Sequence, residues 1–473
     1  MASSGSSVAA AIVLAAGSGT RMKSATSKLL HTVAGRSLLS WAVEAAAGLE
    51  PERLVVVVGQ NRDQVEAELN NIAPDAIHAL QAEPRGTGDA VRAGLAALGQ
   101  VDGDVVVTSS DTPLLTAATL QRLVVTHQAA ANAITVLTSV VADPTGYGRI
   151  IRQDGEIVAI REHRDATAAE REIAEINASI YVFDAALLAE ALGHLTTEND
   201  QGEFLLTDVV SYARQANRRV GGYVESDTWQ TEGVNDRVQL AAIAAEMNHR
   251  ILVRHMLAGV SVIDPATTWV DHGVAIEPDV VLWPGTILRG ATSIATGAVI
   301  GPDTRLTDVE VGAGASVIRT EATLSVIGPK ANVGPFSYLR PGTQLGESGK
   351  IGAFVETKNA QIGAGSKVPH LTYCGDAEIG AGVNIGAGTI FANYDGVHKF
   401  HSTVGDGAFV GSDSVLVAPV EVSQGAFVAA GSVITSDVEP GALAVARGRQ
   451  RTIEGWVERK RQRDTQAAGE TQE

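Results

Sequence analysis

The chain has 473 residues, enough for two or three domains with full cores, and a formal net charge of −18. That acidic balance lacks the basic footprint of a nucleic-acid binder, so anionic ligands must be met by local cations and backbone N–H groups. A single cysteine, Cys374, excludes an intrachain disulfide and suits a reducing, cytoplasmic setting.

Residues 1–20 are uncharged, yet they do not read as a signal peptide. No basic region precedes the short apolar core, which ends in glycines. No stretch is long and apolar enough to cross a bilayer, so no membrane insertion is expected.

Val8–Leu14 reads as a buried parallel strand. Helices near 37–49, 64–69, 89–98 and 117–130 then alternate with strands near 54–58, 76–80, 104–108 and 133–141. This alternation predicts an α/β doubly wound, Rossmann-like domain with ligands at the carboxyl ends of its strands. Residues 235–257 are alanine-rich with helical periodicity and read as a linker helix.

The first strand runs into Leu14-Ala15-Ala16-Gly17-Ser18-Gly19-Thr20-Arg21-Met22. A glycine-rich loop there can bring backbone N–H groups to phosphates. It lacks the third glycine of the dinucleotide fingerprint and is not a Walker loop. Arg21 and Lys28 add the cations a triphosphate needs. Asp111 ends the strand DVVVTSSD. A carboxylate there either helps hold Mg²⁺, which takes one or two protein oxygens, or caps the helical segment starting near Thr112.

From Ile276 to about Val438, aliphatic residues recur every six positions, as in Ile276, Leu282, Leu288, Ile294, Ile300 and Leu306. Six fits neither a helix nor a strand alternation; it is the hexapeptide signature of a parallel β-helix with 18-residue coils. The ladder misses register at Ile351–Ile362 and Val368–Ile379 (11 residues each) and at Ile385–Val404 (19 residues). Such misses suggest a site, and they hold Lys358, His370, Tyr373, Asn384 and the loop Phe391–His401. Phe391-Ala392-Asn393-Tyr394 is expected to leave the prism. Arg340 and Lys358 are 18 residues apart, hence roughly 5 Å apart on one corner of adjacent coils. Like charges so placed repel unless an anion such as phosphate lies between them, or both splay into solvent. The tail after Trp456 has almost no apolar residues and is expected to be disordered.

The motifs LAAGSGTRM with Lys28, QAEPRGTG, SSDTPLL, GYGRI, Glu162, Glu175-Ile176-Asn177 and GVNDR resemble a sugar-nucleotidyltransferase. LRPG, VETK, VPHLTY, GDAEIG, NIGAG, NYDG, VGSD and AAGS follow in the second half. In this order, from residue 8 to about 457, they resemble the bacterial bifunctional N-acetylglucosamine-1-phosphate uridylyltransferase / glucosamine-1-phosphate acetyltransferase family. The expected domains are a uridylyltransferase domain at 1–234, a linker helix at 235–259, a left-handed parallel β-helix at 260–457 and a disordered tail at 458–473.

The resemblance implies that acetyl-CoA acetylates glucosamine-1-phosphate, and that the product then attacks the α-phosphorus of UTP. UDP-N-acetylglucosamine for cell-wall synthesis and pyrophosphate result. Leu14, Ala15, Ala16, Gly17, Arg21, Lys28, Gln81, Gly86 and Thr87 would bind UTP; Asp111 and Asn235 would hold Mg²⁺. Gly148, Glu162 and Asn177 would hold the N-acetylglucosamine moiety. On the solenoid, His370 matches the base that deprotonates the amine, which suits a group titrating near neutrality. Arg340, Lys358, Tyr373 and Asn384 match sugar-phosphate contacts. Ala387, Asn393, Tyr394, Ser412, Ala430 and Arg447 match acetyl-CoA contacts. A cytoplasmic homotrimer with shared acetyl sites is implied, and Cys374 is expected to be a packed bystander. Two residues depart from the family pattern: Ser27 stands where proline is usual, and Ser110 where glycine is usual. A monofunctional nucleotidyltransferase would not need Arg340, Lys358, His370 and Asn384; a non-catalytic scaffold would not need Lys28, Asp111 and Asn235.

Overall fold

The computed structural model describes residues 8–469, apart from Ser18 and Asn61. It comprises two compact units, Met1–Val253 with Val270–His272, and Arg254–Trp269 with Gly273–Glu473.

The first unit is built on a nine-stranded sheet. Its strands are β1 (Val8–Ala15), β2 (Leu54–Val58), β3 (Ile77–Leu80), β4 (Asp104–Ser109), β5 (Ile134–Val140), β6 (Arg149–Gln153), β7 (Glu156–Arg161), β8 (Glu175–Asp184) and β9 (Val220–Glu225). The order is β9-β5-β8-β4-β1-β2-β3, with the β6–β7 hairpin attached to β8. Strands β4, β1, β2 and β3 are parallel. Both faces of β1 are covered: Ile12 packs with Val55 and Val107 on one side, Ala11 and Val13 with Val56 on the other. This explains why the strand is a continuous apolar run rather than an alternating one. Helix α1 (Leu38–Ala47) starts where the Ser37 hydroxyl accepts the Ser40 N–H at 3.1 Å.

The sheet differs from the expected parallel run in β8, which is antiparallel to both β4 and β5. The β8 alternation is broken at Ser179, whose φ is 59°, and its register with β5 shifts between Asn177 and Tyr181. The helix after Asn235 spans Arg237–Leu257, and the first compact unit includes it as far as Val253.

The second unit is a parallel β-helix. Leu282, Ile300, Val317, Val333, Ile351 and Val368 pair in succession and point inward, each at most 3% exposed. Coil length is less regular than the hexads suggest. Leu282 to Ile300 is 18 residues, Ile300 to Val317 is 17 and Val317 to Val333 is 16. Short coils therefore occur before any expected site residue, so a dropped residue does not by itself mark a site. The long coil does stand apart: Ile385 pairs with Val410, 25 positions on.

Phe391 does not leave the prism. It is wholly buried, pairs with Leu416 and takes an inward position normally held by an aliphatic residue. The projecting loop is residues 393–401. Cys374 pairs with Thr357 in the same inward column, and burial pushes its thiol up to about 12. A thiol so protonated is no nucleophile at neutral pH.

The tail is not irregular as far as Gly469, and the expectation for residues 470–473 lies outside the described residues. Trp456–Gly469 forms a helix, and its side chains through Ala467 are exposed. Good helix formers and a Lys460–Asp464 pair at 4.0 Å support it without a buried face.

Candidate active sites

In the first unit the expected nucleotide residues converge at the carboxyl ends of β1, β3 and β4. The loop after β1 is pressed against its neighbours. A side chain at Gly59 would come within 2.5 Å of the Ala16 carbonyl, and one at Gly19 (φ 60°) within 2.5 Å of Lys28 Cβ. Lys28 Nζ lies 2.6 Å from Asp111 Oδ2, while Arg21 Nη2 donates to Asn235 Oδ1 at 2.8 Å. The Val234 N–H donates to the Asp111 carbonyl at 2.8 Å, which brings the segment carrying Asn235 to the end of β4. Gln81 is fixed by its amide, which donates to the Gly86 carbonyl and to Asp89, both at 3.1 Å. At Gly86 φ is 105°, and a Cβ would sit 2.6 Å from the Phe204 carbonyl. Thr87 opens helix α2 (Thr87–Leu98), and its hydroxyl accepts the Leu206 N–H at 3.1 Å.

Both departures from the family pattern have a local account. Ser27 is buried with φ −51°, which proline could adopt, but its N–H donates to Gln64 Oε1 at 3.0 Å. Ser110 is 3% exposed, and its hydroxyl donates to the Leu14 carbonyl at 2.6 Å.

Gly148, Glu162 and Asn177 are brought together from the start of β6, the residue following β7 and the body of β8. Asn177 N–H donates to the Gly148 carbonyl at 2.9 Å. A Cβ at Gly148 would stand 3.5 Å from Asn177 Cβ and 3.6 Å from Glu162 Oε1. Burial pushes the Glu162 carboxyl up, against the lowering effect of the Thr207 hydroxyl at 3.4 Å. Beside them the Tyr147 hydroxyl donates to Glu232 at 3.4 Å, and burial pushes that phenol up to about 12.

On the solenoid, Leu339 pairs with Thr357, and Arg340 N–H donates to the Thr357 carbonyl at 2.9 Å. Arg340 and Lys358 thus follow in the same register on adjacent coils, as their spacing predicts. Arg340 is paired with Glu356 at 2.9 Å. Lys358 meets a third cation: Lys399 beside it pushes its ammonium below the ordinary lysine range, with Arg340 adding and Asp376 opposing. Lys399 was missed from the sequence. It is the one lysine of the projecting loop, bridged to Tyr394, so the broken period was the signal.

Tyr373 pairs with Glu356, and its hydroxyl lies over Gly375, which pairs with Lys358. Arg340, Lys358 and Tyr373 therefore share one face. His370 is exposed, ends a strand three residues before Tyr373 and pairs with Ala353. Asn384 lies in the sheet that carries His370, on the next strand, paired with Lys367 and Phe409, and not in the sheet of Lys358 and Tyr373.

His370 also starts a ladder. Its carbonyl accepts the Gly388 N–H at 3.2 Å, that of Ala387 accepts Asp413 N–H at 2.7 Å, and that of Ser412 accepts Gly431 N–H at 2.8 Å. Pairing of Ile385 with Val410 and of Val410 with Val428 puts Ala387, Ser412 and Ala430 on one corner of successive coils. Arg447 Cδ lies 4.0 Å from where a Gly431 Cβ would be. Of the loop pair, Tyr394 is exposed, whereas Asn393 is buried and its amide donates to Asp376 of the same chain at 2.5 Å.

A MobA-like NTP transferase domain model matches residues 11–204. The bifunctional protein GlmU of Streptomyces coelicolor is 56% identical over 456 residues, covering 96% of this chain and 95% of that protein. Its counterpart in Corynebacterium aurimucosum is 52% identical over 471 residues, covering 98% and 97%. That of Mycolicibacterium vanbaalenii is 55% identical over 459 residues, covering 96% and 93%. The chain belongs to the GlmU family. With GlmU membership come acetyltransferase and uridylyltransferase activities in UDP-N-acetylglucosamine synthesis. A solved UDP-glucose pyrophosphorylase complexed with UDP-glucose matches 51% of the chain at 18% identity and a TM-score of 0.41, too distant to bear on the sites.

Proposed function

We propose that each unit carries one transfer, with the residues just described in the roles their GlmU motifs suggest. In the first unit, Leu14–Gly17, Arg21, Lys28, Gln81, Gly86 and Thr87 bind UTP, and Gly148, Glu162 and Asn177 hold N-acetylglucosamine-1-phosphate. The sugar phosphate attacks the α-phosphorus in line and pyrophosphate leaves. Such a transfer is positioning plus charge neutralisation, so no protein nucleophile is required.

Mg²⁺ is proposed at Asp111 and Asn235. The donor set fits: one carboxylate and one amide oxygen leave room for phosphate and water ligands, as that ion prefers. No group of three or more His, Cys, Asp or Glu that could hold a metal occurs among the described residues. The bound ion would offset the phosphate charge. Lys28 and Arg21, now paired to those two side chains, are the protein's own cations for the same task.

In the second unit, His370 takes a proton from the glucosamine-1-phosphate ammonium. The freed amine attacks the thioester carbonyl, a C–N bond forms, the C–S bond breaks, and the proton shed by the new amide nitrogen goes to the departing sulfur, so coenzyme A leaves as a thiol. Arg340, Lys358 and Tyr373 hold the sugar phosphate, and we add Lys399 to this clamp. Ala387, Asn393, Tyr394, Ser412, Ala430 and Arg447 line the acetyl-CoA track. The observation that carries the reading is the cluster of Arg340, Lys358 and Lys399 on the face that His370 borders. Incubation with glucosamine-1-phosphate, acetyl-CoA, UTP and Mg²⁺ should release thiol and pyrophosphate together; pyrophosphate without thiol would reduce the solenoid to a scaffold.

A cytoplasmic homotrimer is proposed with shared acetyl sites. Asn384 lies in the sheet of His370 and Tyr373 in the other, and a neighbour's Asn384 would complete the clamp of Arg340, Lys358 and Tyr373. Exposed Phe336 and Phe354, with ring centroids 5.4 Å apart, supply apolar surface for packing. Chains with His370→Ala mixed with chains with Asn384→Ala should regain thiol release after subunit exchange. No recovery, with exchange verified, would mean self-contained sites.

A further inference from the structure

The Asp111 carboxylate is held from both sides. Lys28 Nζ meets Oδ2 at 2.6 Å, and the Ser109 hydroxyl donates to Oδ1 at 2.5 Å. The residue between them, Ser110, turns away. Its hydroxyl and its N–H both reach the Leu14 carbonyl, at 2.6 and 3.3 Å. Leu14 is the last residue but one of β1, just ahead of the glycine-rich loop, and it pairs with Ser109 in the β1–β4 register. The turn that presents Asp111 is thus laced to the end of β1, where the glycine-rich loop begins, by a side chain that glycine would not supply. Glycine would also widen the backbone freedom of that turn.

We propose that Ser109 and Ser110 are positioning residues for Asp111. Ser109 fixes the direction of one carboxylate oxygen, and Ser110 fixes the distance between the Asp111 turn and the end of β1, from which the glycine-rich loop departs. Asp111 would then present a carboxylate already in place to a divalent cation, which would supply charge neutralisation to a nucleotide phosphate. This rests on the reading of Asp111 as a metal-holding residue.

The test uses Mn²⁺ as the probe, titrated into full-length protein with UTP present and followed by its electron paramagnetic resonance signal. Ser109→Ala and Ser110→Ala should each raise the Mn²⁺ dissociation constant about two- to tenfold, the worth of one hydrogen bond. Ser109→Thr, which keeps the hydroxyl, should stay within about twofold of the parent. Thiol release and thermal melting verify that every variant is folded. If Asp111→Asn weakens Mn²⁺ while both alanine variants bind like the parent, the positioning role is wrong. If Asp111→Asn itself leaves Mn²⁺ affinity unchanged, the metal assignment fails and the positioning role with it. In either alanine variant, weaker Mn²⁺ binding with unchanged metal-free UTP binding would place the defect at the carboxylate rather than in the loop as a whole.

Discussion

At the strand ends of the first unit the two cations nearest the proposed metal residues already have partners. Lys28 is paired with Asp111 and Arg21 with the Asn235 amide oxygen. On the solenoid, Lys358 faces Lys399 with Arg340 close by, while Asp376 opposes them and Glu356 pairs with Arg340. On the proposed reading the first arrangement exchanges partners as a nucleotide arrives, and the second holds repulsion that an anion would relieve. The contrast follows from construction: loops from distant parts of the sequence can bring opposite charges together, whereas a repeating coil stacks like positions and therefore like charges.

The largest expected effect of this difference is at Arg340. Arg340→Ala removes one cation and leaves the Glu356 carboxylate facing the phosphate. Glucosamine-1-phosphate affinity should fall about tenfold to hundredfold, with acetyl-CoA affinity nearly unchanged, by calorimetric titration. Equal affinity in parent and variant would remove Arg340 from the clamp.

A smaller effect is a pH dependence. The Lys399 ammonium holds Lys358 below the ordinary lysine range, so Lys358 loses its proton sooner as pH rises. A bound phosphate favours the charged form, so binding on the alkaline side takes up a proton and weakens with rising pH. Lys399→Ala should weaken binding near neutral pH yet move that alkaline decline upward. A decline at the same pH in parent and variant would show that the two lysines do not interact.

The smallest effect is expected where the first unit departs from its family. Ser27→Pro suits the local φ but removes the N–H bond to Gln64. Loss of one hydrogen bond and the gain from a stiffer unfolded chain, about 0.5–1 kcal/mol each, should nearly cancel in denaturant unfolding. A loss of several kcal/mol would mean that the Gln64 contact orders the whole Lys28 loop.

The same contrast governs what could be read in the sequence. In the solenoid, spacing is geometry: Arg340 and Lys358 fell in register as counted, because hydrogen bonding between coils enforces it. Reading failed where the period failed. Phe391 proved to be an inward residue, and Lys399 folds back to Lys358 from a loop whose path no periodicity describes. In the first unit the parallel strands from Val8 to Ser109 were legible as apolar runs bounded by turns. The elements holding Gly148, Glu162 and Asn177 were not, because β8 carries a left-handed Ser179 in mid-strand and runs antiparallel. Those three residues were reached only through motif resemblance. The tail helix was hidden for the opposite reason, since a helix with no buried face leaves no apolar pattern.

The central claim is that two chemistries sit on two separate units of one chain, and paired single substitutions test it most directly. Thiol and pyrophosphate release are measured on Asp111→Ala and His370→Ala proteins, each verified as folded, with acetylated and unacetylated sugar phosphate supplied in turn. Asp111→Ala should lose pyrophosphate release and keep thiol release, and His370→Ala should do the reverse. A folded variant of either kind that loses both activities would contradict the account.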